Sequence, residues 1–196
     1  MEASARLDDV SVVLDDRPVL RGVDLDVRPG LTVVRGANGS GKTTLLRALA
    51  GLLPIASGTR TVSGEVLILG HRPQLLRGLS ARENLSFFAR FRGGDAGGVG
   101  DALARWGLAA DADRPVERLS AGQRRRAALA RIDQERCGLV LLDEPFAELD
   151  RDASELLEKA LARLGDDGRA VVVATHGHES LDAAAHVRTL DGGTLR

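Results

Sequence analysis

The sequence predicts an α/β fold: a mostly parallel sheet covered by helices on both faces, with an antiparallel β part at the N-terminus and a helical insertion. Three observations carry this prediction. Short apolar runs, Leu31 to Val34, Leu139 to Leu142 and Ala170 to Ala174, alternate with segments of helical periodicity, the pattern of strands buried on both faces. A glycine-rich stretch, Gly36-Ala37-Asn38-Gly39-Ser40-Gly41-Lys42-Thr43, joins the first of those runs to a helix-patterned segment. From Gly70 to about Arg136 the β-branched runs give way to helical pattern, which marks an insertion into the α/β core.

Val10 to Val13 and Leu20 to Val27 are predicted strands of an antiparallel hairpin, with Asp15-Asp16-Arg17-Pro18 as the turn. Val23, Leu25 and Val27 alternate with Asp24, Asp26 and Arg28, so this strand has one wet face. After the turn at Pro29-Gly30, the strand Leu31 to Val34 enters the glycine stretch. Thr44 to Ala50 leaves it as a helix, with Leu45, Leu46 and Leu49 on one face and Gly51 as the stop. Pro54 to Gly64, rich in Gly, Ser and Thr, reads as a loop, and Val66 to Leu69 as a short strand.

Within the insertion, Glu83 to Arg92 is a predicted helix with Leu85, Phe88 and Ala89 inward. Residues 93–98 are a glycine-rich connector, and Asp101 to Gly107 a short helix holding Trp106 as a packing anchor. Ser120 caps a long helix running through Ala127, Leu129, Ala130 and Ile132. The core resumes with the strand Leu139 to Leu142. A helix from Asp152 to Leu164 follows, its apolar face made by Leu156, Leu157, Ala160, Leu161 and Leu164. The strand Ala170 to Ala174, a helix near Ser180 to Ala185 and a hairpin around Asp191-Gly192-Gly193 close the chain. The expected organisation is one domain, with an α/β core of residues 1–70 and 137–196 and a helical subdomain of 71–136.

Composition narrows the function. The chain has 196 residues, 43% of them hydrophobic, enough for a sizeable core. With 27 basic and 28 acidic residues the charges nearly cancel, and nothing global points to nucleic acid. Cys137 is the single cysteine, which excludes an internal disulfide framework and suits a reducing compartment; a packing role is expected for it. Met1 to Asp9 is acidic and lacks the apolar segment of a signal peptide. No apolar run approaches the roughly 20 residues that cross a bilayer, so direct membrane insertion is not expected.

Strand, glycine loop and helix together form a phosphate cradle. Loop N–H groups from Gly36, Ala37, Asn38, Gly39, Ser40 and Gly41 wrap a polyphosphate, and the helix N-terminus adds partial positive charge. Lys42 reaches the outer phosphates, the Thr43 hydroxyl ligates Mg²⁺, and Thr44 faces the inner phosphates. A second motif, Leu139-Val140-Leu141-Leu142-Asp143-Glu144, is an apolar strand ending in two carboxylates. Beside a phosphate loop, Asp143 supplies a Mg²⁺ contact, and Glu144, beyond the outer phosphate, polarises an attacking water.

Leu119-Ser120-Ala121-Gly122-Gln123 resembles the LSGGQ signature of ATP-binding cassette (ABC) ATPases, with alanine in place of the first glycine. The resemblance extends over nearly the whole chain. It implies that Ser120, Gly122 and Gln123 meet the γ-phosphate of ATP held by a partner subunit. Ala147-Glu148-Leu149-Asp150 resembles the D-loop at the dimer interface, with Asp150 its acid. Ala174-Thr175-His176 resembles the switch segment, with His176 hydrogen-bonding the γ-phosphate. His178 and His186 lack such support and read as surface residues, and Arg124, Arg125 and Arg126 as solvated or ion-paired. Within the family, Leu69-Gly70-His71, Leu119 to Arg126 and Asp143-Glu144-Pro145-Phe146 are similar to the ATP-binding subunit of the haem exporter of cytochrome c maturation.

The family resemblance implies an ATPase using ATP and Mg²⁺ at the cytoplasmic face of the cell membrane. Its partners would be an integral membrane permease and a second copy or a second ABC ATPase. A soluble non-transport ABC ATPase is the alternative; a phosphate-loop kinase for a small metabolite would leave Ser120 and its motif unexplained. Two departures stand out. The adenine-stacking aromatic of the family falls at Leu14, and the chain has no tyrosine and no aromatic residue before Phe87, so adenine rests on an aliphatic group such as Leu14 or Val19. The family's Q-loop glutamine falls at Arg72, with Gln74 two residues later, so Gln74 takes the Mg²⁺ contact only if the loop shifts.

Overall fold

The structure, a computed structural model, describes residues 4–177, 180–181 and 185–196. In chain order the elements are β1 (Ser4–Leu14), β2 (Arg17–Val27), β3 (Gly30–Arg35), α1 (Lys42–Leu49), β4 (Ser57–Ser63), β5 (Val66–Leu69), α2 (Ala81–Phe91), α3 (Val99–Arg105), α4 (Ala121–Leu129), β6 (Leu139–Asp143), α5 (Arg151–Asp166), β7 (Ala170–Thr175), β8 (Ala185–Asp191) and β9 (Thr194–Leu195). They fall into two compact units. The first comprises Met1–Ile68, Cys137–Pro145 and Leu161–Arg196, the second Leu69–Arg136 and Phe146–Ala160.

In the first unit an antiparallel sheet has the order β2-β1-β4. The hairpin turn is tighter than the sequence suggests: Asp15 and Asp16 make it alone, with φ of 48° and 60°. Two-residue turns with positive φ match the strand twist, and Asp tolerates that conformation. Pro18, the second residue of β2, lies opposite Val13. The segment expected as a loop over 54–64 is corrected by β4, which pairs antiparallel with β1, Leu7 opposite Arg60. β4 is an edge strand whose side chains are mostly exposed and polar. Backbone bonds rather than buried side chains define it, so no alternation marks it in the sequence.

The second sheet has the order β5-β6-β7-β3-β8-β9. β3 pairs parallel with β7 and β8, and β6 pairs parallel with β7. Every residue of β6 and β7 is buried, which is why both are continuous apolar runs. The hairpin expected at residues 191–193 is the β8–β9 connection. The helix expected over 180–185 is corrected at its end, because Ala185 opens β8; residues 182–184 lie outside the described residues, as does His178. His186 is exposed on β8. One apolar cluster joins Leu7, Val12, Leu20 and Val23 of the first sheet to Leu45, Leu46 and Leu49 of α1 and to Leu141 and Val172 of the second sheet. Burying each such side chain contributes about 1.5–3 kcal/mol, so α1, and with it the glycine loop, is held by the core.

Parallel pairing brings the C-terminal ends of three strands level. Arg35 lies opposite Thr175, and Asp143 opposite Ala174. The segments that leave those ends, 36–41, Glu144 and His176, therefore start side by side, the place where parallel sheets bind ligands.

The second unit is held by helix caps and buried polar side chains. Ser80 caps α2 through the Glu83 N–H, and the Glu83 carboxylate accepts from the Ser80 N–H. Ser120 and Gln123 form the same reciprocal pair at the start of α4. The predicted long helix is shorter than expected: α4 passes into a 3₁₀ turn at Ala130–Asp133. Trp106 anchors as expected, buried, with its indole N–H donating to Asp133 Oδ2 at 3.1 Å. Buried Glu135 pairs with Arg131, whose guanidinium lies over the Phe88 ring. Of the three arginines expected to be solvated or ion-paired, Arg125 is buried, and all three donate to loop carbonyls. Arg124 donates to the Leu119 carbonyl, Arg125 to Gly70 and His71, and Arg126 to Trp106 and Gly107. A guanidinium's several donors can close loop backbone groups that the helices leave open.

Candidate nucleotide-binding and catalytic site

β3 delivers the chain to Gly36, where a Cβ would stand 2.4 Å from the Leu190 carbonyl oxygen and 2.5 Å from Ser40 Oγ. Only glycine passes there. A turn bond from Ser40 N–H to the Ala37 carbonyl closes the loop, while Gly39 and Gly41 take φ of 79° and 106°. Gly41 is the N-cap of α1 and offers no side chain, so the first amides of the helix remain free for a ligand. Ala37, Asn38 and Gly39 are exposed, and among the described residues Ser40 Oγ is buried with no hydrogen-bond partner. A loop of free amides at a helix start, with a spare hydroxyl, is suited to phosphate oxygens.

Lys42 is buried, and its ammonium donates to the carbonyls of Gly36 (2.7 Å) and Ala37 (3.2 Å). It also lies 3.4 Å from Glu144 Oε1. Thr43 is exposed, and its hydroxyl donates to Asp143 Oδ2 at 2.8 Å. Residues one hundred positions apart thus meet as two adjacent hard oxygen donors, the donor set that Mg²⁺ prefers. Asp143 and Thr43 fit that ion.

Glu144 sits just past β6 with φ of 45°, held by its N–H to the Ala174 carbonyl. This backbone conformation, costly for a non-glycine residue, turns the carboxylate toward Lys42. Thr175 donates to Oε2 at 3.3 Å, and His176 Nδ1 lies 2.9 Å from Oε1. Burial pushes the Glu144 carboxyl up, but the hydrogen bond and charge of His176 and the charge of Lys42 outweigh it and hold it below the ordinary carboxylate value. Lys42, Thr43, Asp143, Glu144 and His176 are therefore one cluster. A cleft of about 220 Å³ is lined by Val19, Asn38, Gly39, Gly41, Lys42, Thr43, Thr44, Asp143 and Glu144. Of the two aliphatic candidates for adenine, Val19 lines this cleft, whereas Leu14 is half-buried against the core cluster. Thr175, through its contact with Glu144, is a site residue that the sequence marks only by its place between Ala174 and His176.

The remaining expected residues lie in the second unit. Ser120 is exposed at the start of α4, and Gln123, besides its cap bond, donates to Asp111. At Gly122 a Cβ would stand 3.2 Å from the Glu148 carbonyl oxygen, so glycine admits a close approach of the 147–150 segment. Asp150 Oδ1 accepts from the Ala153 N–H, which caps α5. Gln74 is exposed, with φ of 52°.

A family model described as ABC transporter matches residues 20–147. The chain belongs to the ABC transporter family. It is the ATP-binding, ATP-hydrolysing kind of subunit in that family. Two curated relatives are each named "Cytochrome c biogenesis ATP-binding export protein", CcmA 1 and CcmA. The one from Salmonella paratyphi A is 42% identical over 83% of this chain and 84% of its own length. The one from Xanthomonas axonopodis pv. citri is 41% identical over 92% and 89%. Among solved structures, cbiO1 of Clostridium perfringens, part of the ABC transporter complex cbiONQ, aligns with a TM-score of 0.81 at 25% identity, covering all of this chain and 88% of that one. An ATP-binding subunit of an ABC transporter aligns at 0.87 and 20% identity, covering 98% and 88%, and shares the fold. The expected α/β architecture, with its antiparallel N-terminal sheet and mostly parallel second sheet, is the one these ABC ATPases have.

Proposed function

We propose that the chain is the ATPase subunit of an exporter that serves cytochrome c biogenesis, with haem as the cargo, and that it works as a dimer against a separate membrane permease. The names of its curated relatives support the process, and the fold likeness to a subunit of a transporter complex supports the permease. Among the described residues no helix is long and apolar enough to cross a membrane; on this reading the chain is attached through its partner on the cytoplasmic face. On this reading residues 1–70 and 137–196 are the α/β core, and 71–136 the helical subdomain that passes closure to the permease.

One observation carries the catalytic reading: Thr43, Asp143, Lys42 and Glu144 converge on a single cleft. The loop amides from Gly36 to Gly41 and those of Lys42, Thr43 and Thr44 hold the phosphates, and Val19 touches the base. Thr43 and Asp143 would hold Mg²⁺, which would neutralise charge on the phosphate oxygens. Glu144, ionised by its neighbours, accepts a proton from water as that water attacks the terminal phosphorus, and ADP leaves with the electron pair of the broken P–O bond. Lys42 releases the Gly36 and Ala37 carbonyls and turns to the oxygens that gain charge. His176 orients Glu144 and the water. Ser120, Gly122, Gln123 and Asp150 face the nucleotide of the opposite subunit, so a dimer holds two ATP molecules.

The decisive variant is Glu144→Gln, which keeps shape but cannot take the proton. It is expected to bind ATP with wild-type affinity, to lose turnover, and to shift to a dimer in size-exclusion chromatography when ATP is added. Turnover near the wild-type rate would remove Glu144 as the base. Association with the permease is tested by co-purification from membranes, and a complex without any membrane subunit would refute the transport reading.

A further inference from the structure

We propose that Arg125 is a positioning residue for the 72–74 loop, holding its start to the helix that carries Ser120 and Gln123. This rests on the reading of that loop as part of the ATPase site. Arg125 lies two residues beyond Gln123 on α4 and is only 1% exposed. Its Nη1 donates to the Gly70 carbonyl at 2.7 Å and the His71 carbonyl at 3.1 Å. These are the last two residues before Arg72-Pro73-Gln74. A guanidinium is costly to bury unless its donors are used, and these two carbonyls take up one of its nitrogens.

The far end of the loop is held in a comparable way. Fully buried Asn84 accepts from the Leu76 N–H at 2.6 Å and donates to the Leu76 carbonyl at 3.1 Å. Residues 72–75 therefore form an arch with both feet pinned by buried side chains, Arg125 at one and Asn84 at the other. Between the pins Arg72 and Gln74 are exposed, and Gln74 holds a left-handed φ of 52°. The Gln74 amide folds back over Gly70, 3.5 Å from where a Cβ would stand. Pro73 restricts the backbone between them, so displacement of Gly70 and His71 is passed on to Gln74. The arch keeps Gln74 in a conformation it would not hold alone. Freed at the Arg125 foot, it loses orientation, and misplacement of about 1 Å costs on the order of a hundredfold in rate.

The test uses the full chain and reads kcat and ATP affinity separately. Arg125→Ala is expected to lower kcat by at least about tenfold while ATP affinity stays within about threefold. Guanidinium chloride at low millimolar concentration is expected to restore part of that loss, and sodium chloride at the same concentration is not. Amide exchange is expected to quicken at residues 72–75 and not across the rest of the second unit. An unchanged kcat would overturn the proposal. So would a loss that guanidinium fails to restore and that comes with faster exchange throughout the unit. If Arg125→Ala does not fold, Arg125→Lys, which keeps the charge and a donor, is expected to show intermediate turnover at unchanged affinity. Wild-type turnover in Arg125→Lys, or failure of both variants to fold, would leave Arg125 a purely architectural residue. Glu144→Gln is run beside them. Turnover retained there refutes the site reading, whereas turnover lost there but normal in the Arg125 variants refutes only this inference.

Discussion

At the scale of single residues, Glu144, as the proposed base, has two demands to meet: it must be buried enough to be near the reaction and ionised enough to accept a proton. Burial raises its carboxyl, while His176 and Lys42 lower it further than burial raises it. The base is therefore ready at and below the ordinary carboxylate range, and the acid limb of kcat/KM is expected below that range. In His176→Ala the limb should move to higher pH, since the largest lowering influence is gone; a pH–rate profile measures it, and an unmoved limb would show that His176 does not set the ionisation. Val19, an aliphatic side chain, lines the cleft and is the proposed contact of the nucleotide's base. Aromatic stacking contributes roughly 1–3 kcal/mol where it exists. Without it, GTP is expected to bind within about tenfold of ATP, a difference of about 1.4 kcal/mol, in a binding titration. Strong rejection of GTP would reveal a group that reads adenine. Gln74 invites a third measurement. Its amide can accept from water and ligate a cation, whereas Arg72 only donates. Gln74→Ala should lower turnover severalfold at unchanged ATP affinity; an unaffected rate, with a faster enzyme on Arg72→Gln, would leave the contact to water.

At the scale of elements, the caps do more than propensity. α2 starts at a reciprocal pair in which the Glu83 carboxylate accepts from the Ser80 N–H, which holds Glu83 below its ordinary value. Ser80→Ala is expected to cost about 1 kcal/mol. In a chain of this size that is about 2–4 °C in Tm. The side-chain hydrogen bond between Ser80 and Glu83, which adds to the N–H in holding that carboxyl down, goes with the hydroxyl, so the Glu83 carboxyl should rise in part, read by NMR titration. A Tm loss without the rise would mean that the hydroxyl packs rather than caps. At Ser120 the sequence predicts the cap, because capping is local, and the structure adds the reciprocal bond from Gln123. β4 was not visible, because an exposed edge strand has no buried face to leave a periodicity.

At the scale of the molecule, acid stability follows from carboxylates whose values fall on folding. Glu83, Asp113 and Glu117 in the second unit and Glu144 in the first are all lowered, by the Ser80 N–H, the Arg82 side chain, backbone N–H bonds, and His176 with Lys42. A carboxylate lowered on folding stabilises fully above its unfolded value, and that stabilisation is lost as pH falls through the folded value. The urea midpoint is therefore expected to be flat from neutral pH down to the ordinary carboxylate range and to fall below it. Arg82→Met should start that fall at higher pH by freeing Asp113. A midpoint that rises on acidification would contradict the sign of all four shifts.

The sequence by itself determined what short-range pattern can encode. Period-two and period-3.6 runs announced the hairpin, the buried strands and the helices. The glycine spacing announced the phosphate loop, whose backbone needs glycine at Gly39 and Gly41 whatever surrounds it, since both take positive φ. Only the tertiary structure decided which groups meet. It joined Thr43 to Asp143 across one hundred residues and chose Val19 rather than Leu14 for the cleft. It also buried Arg125, in a run of three arginines that composition alone assigns to the surface. The physical reason is common to all three: chain pattern specifies a residue's own backbone and face, whereas a partner far along the chain is set by strand register and core packing.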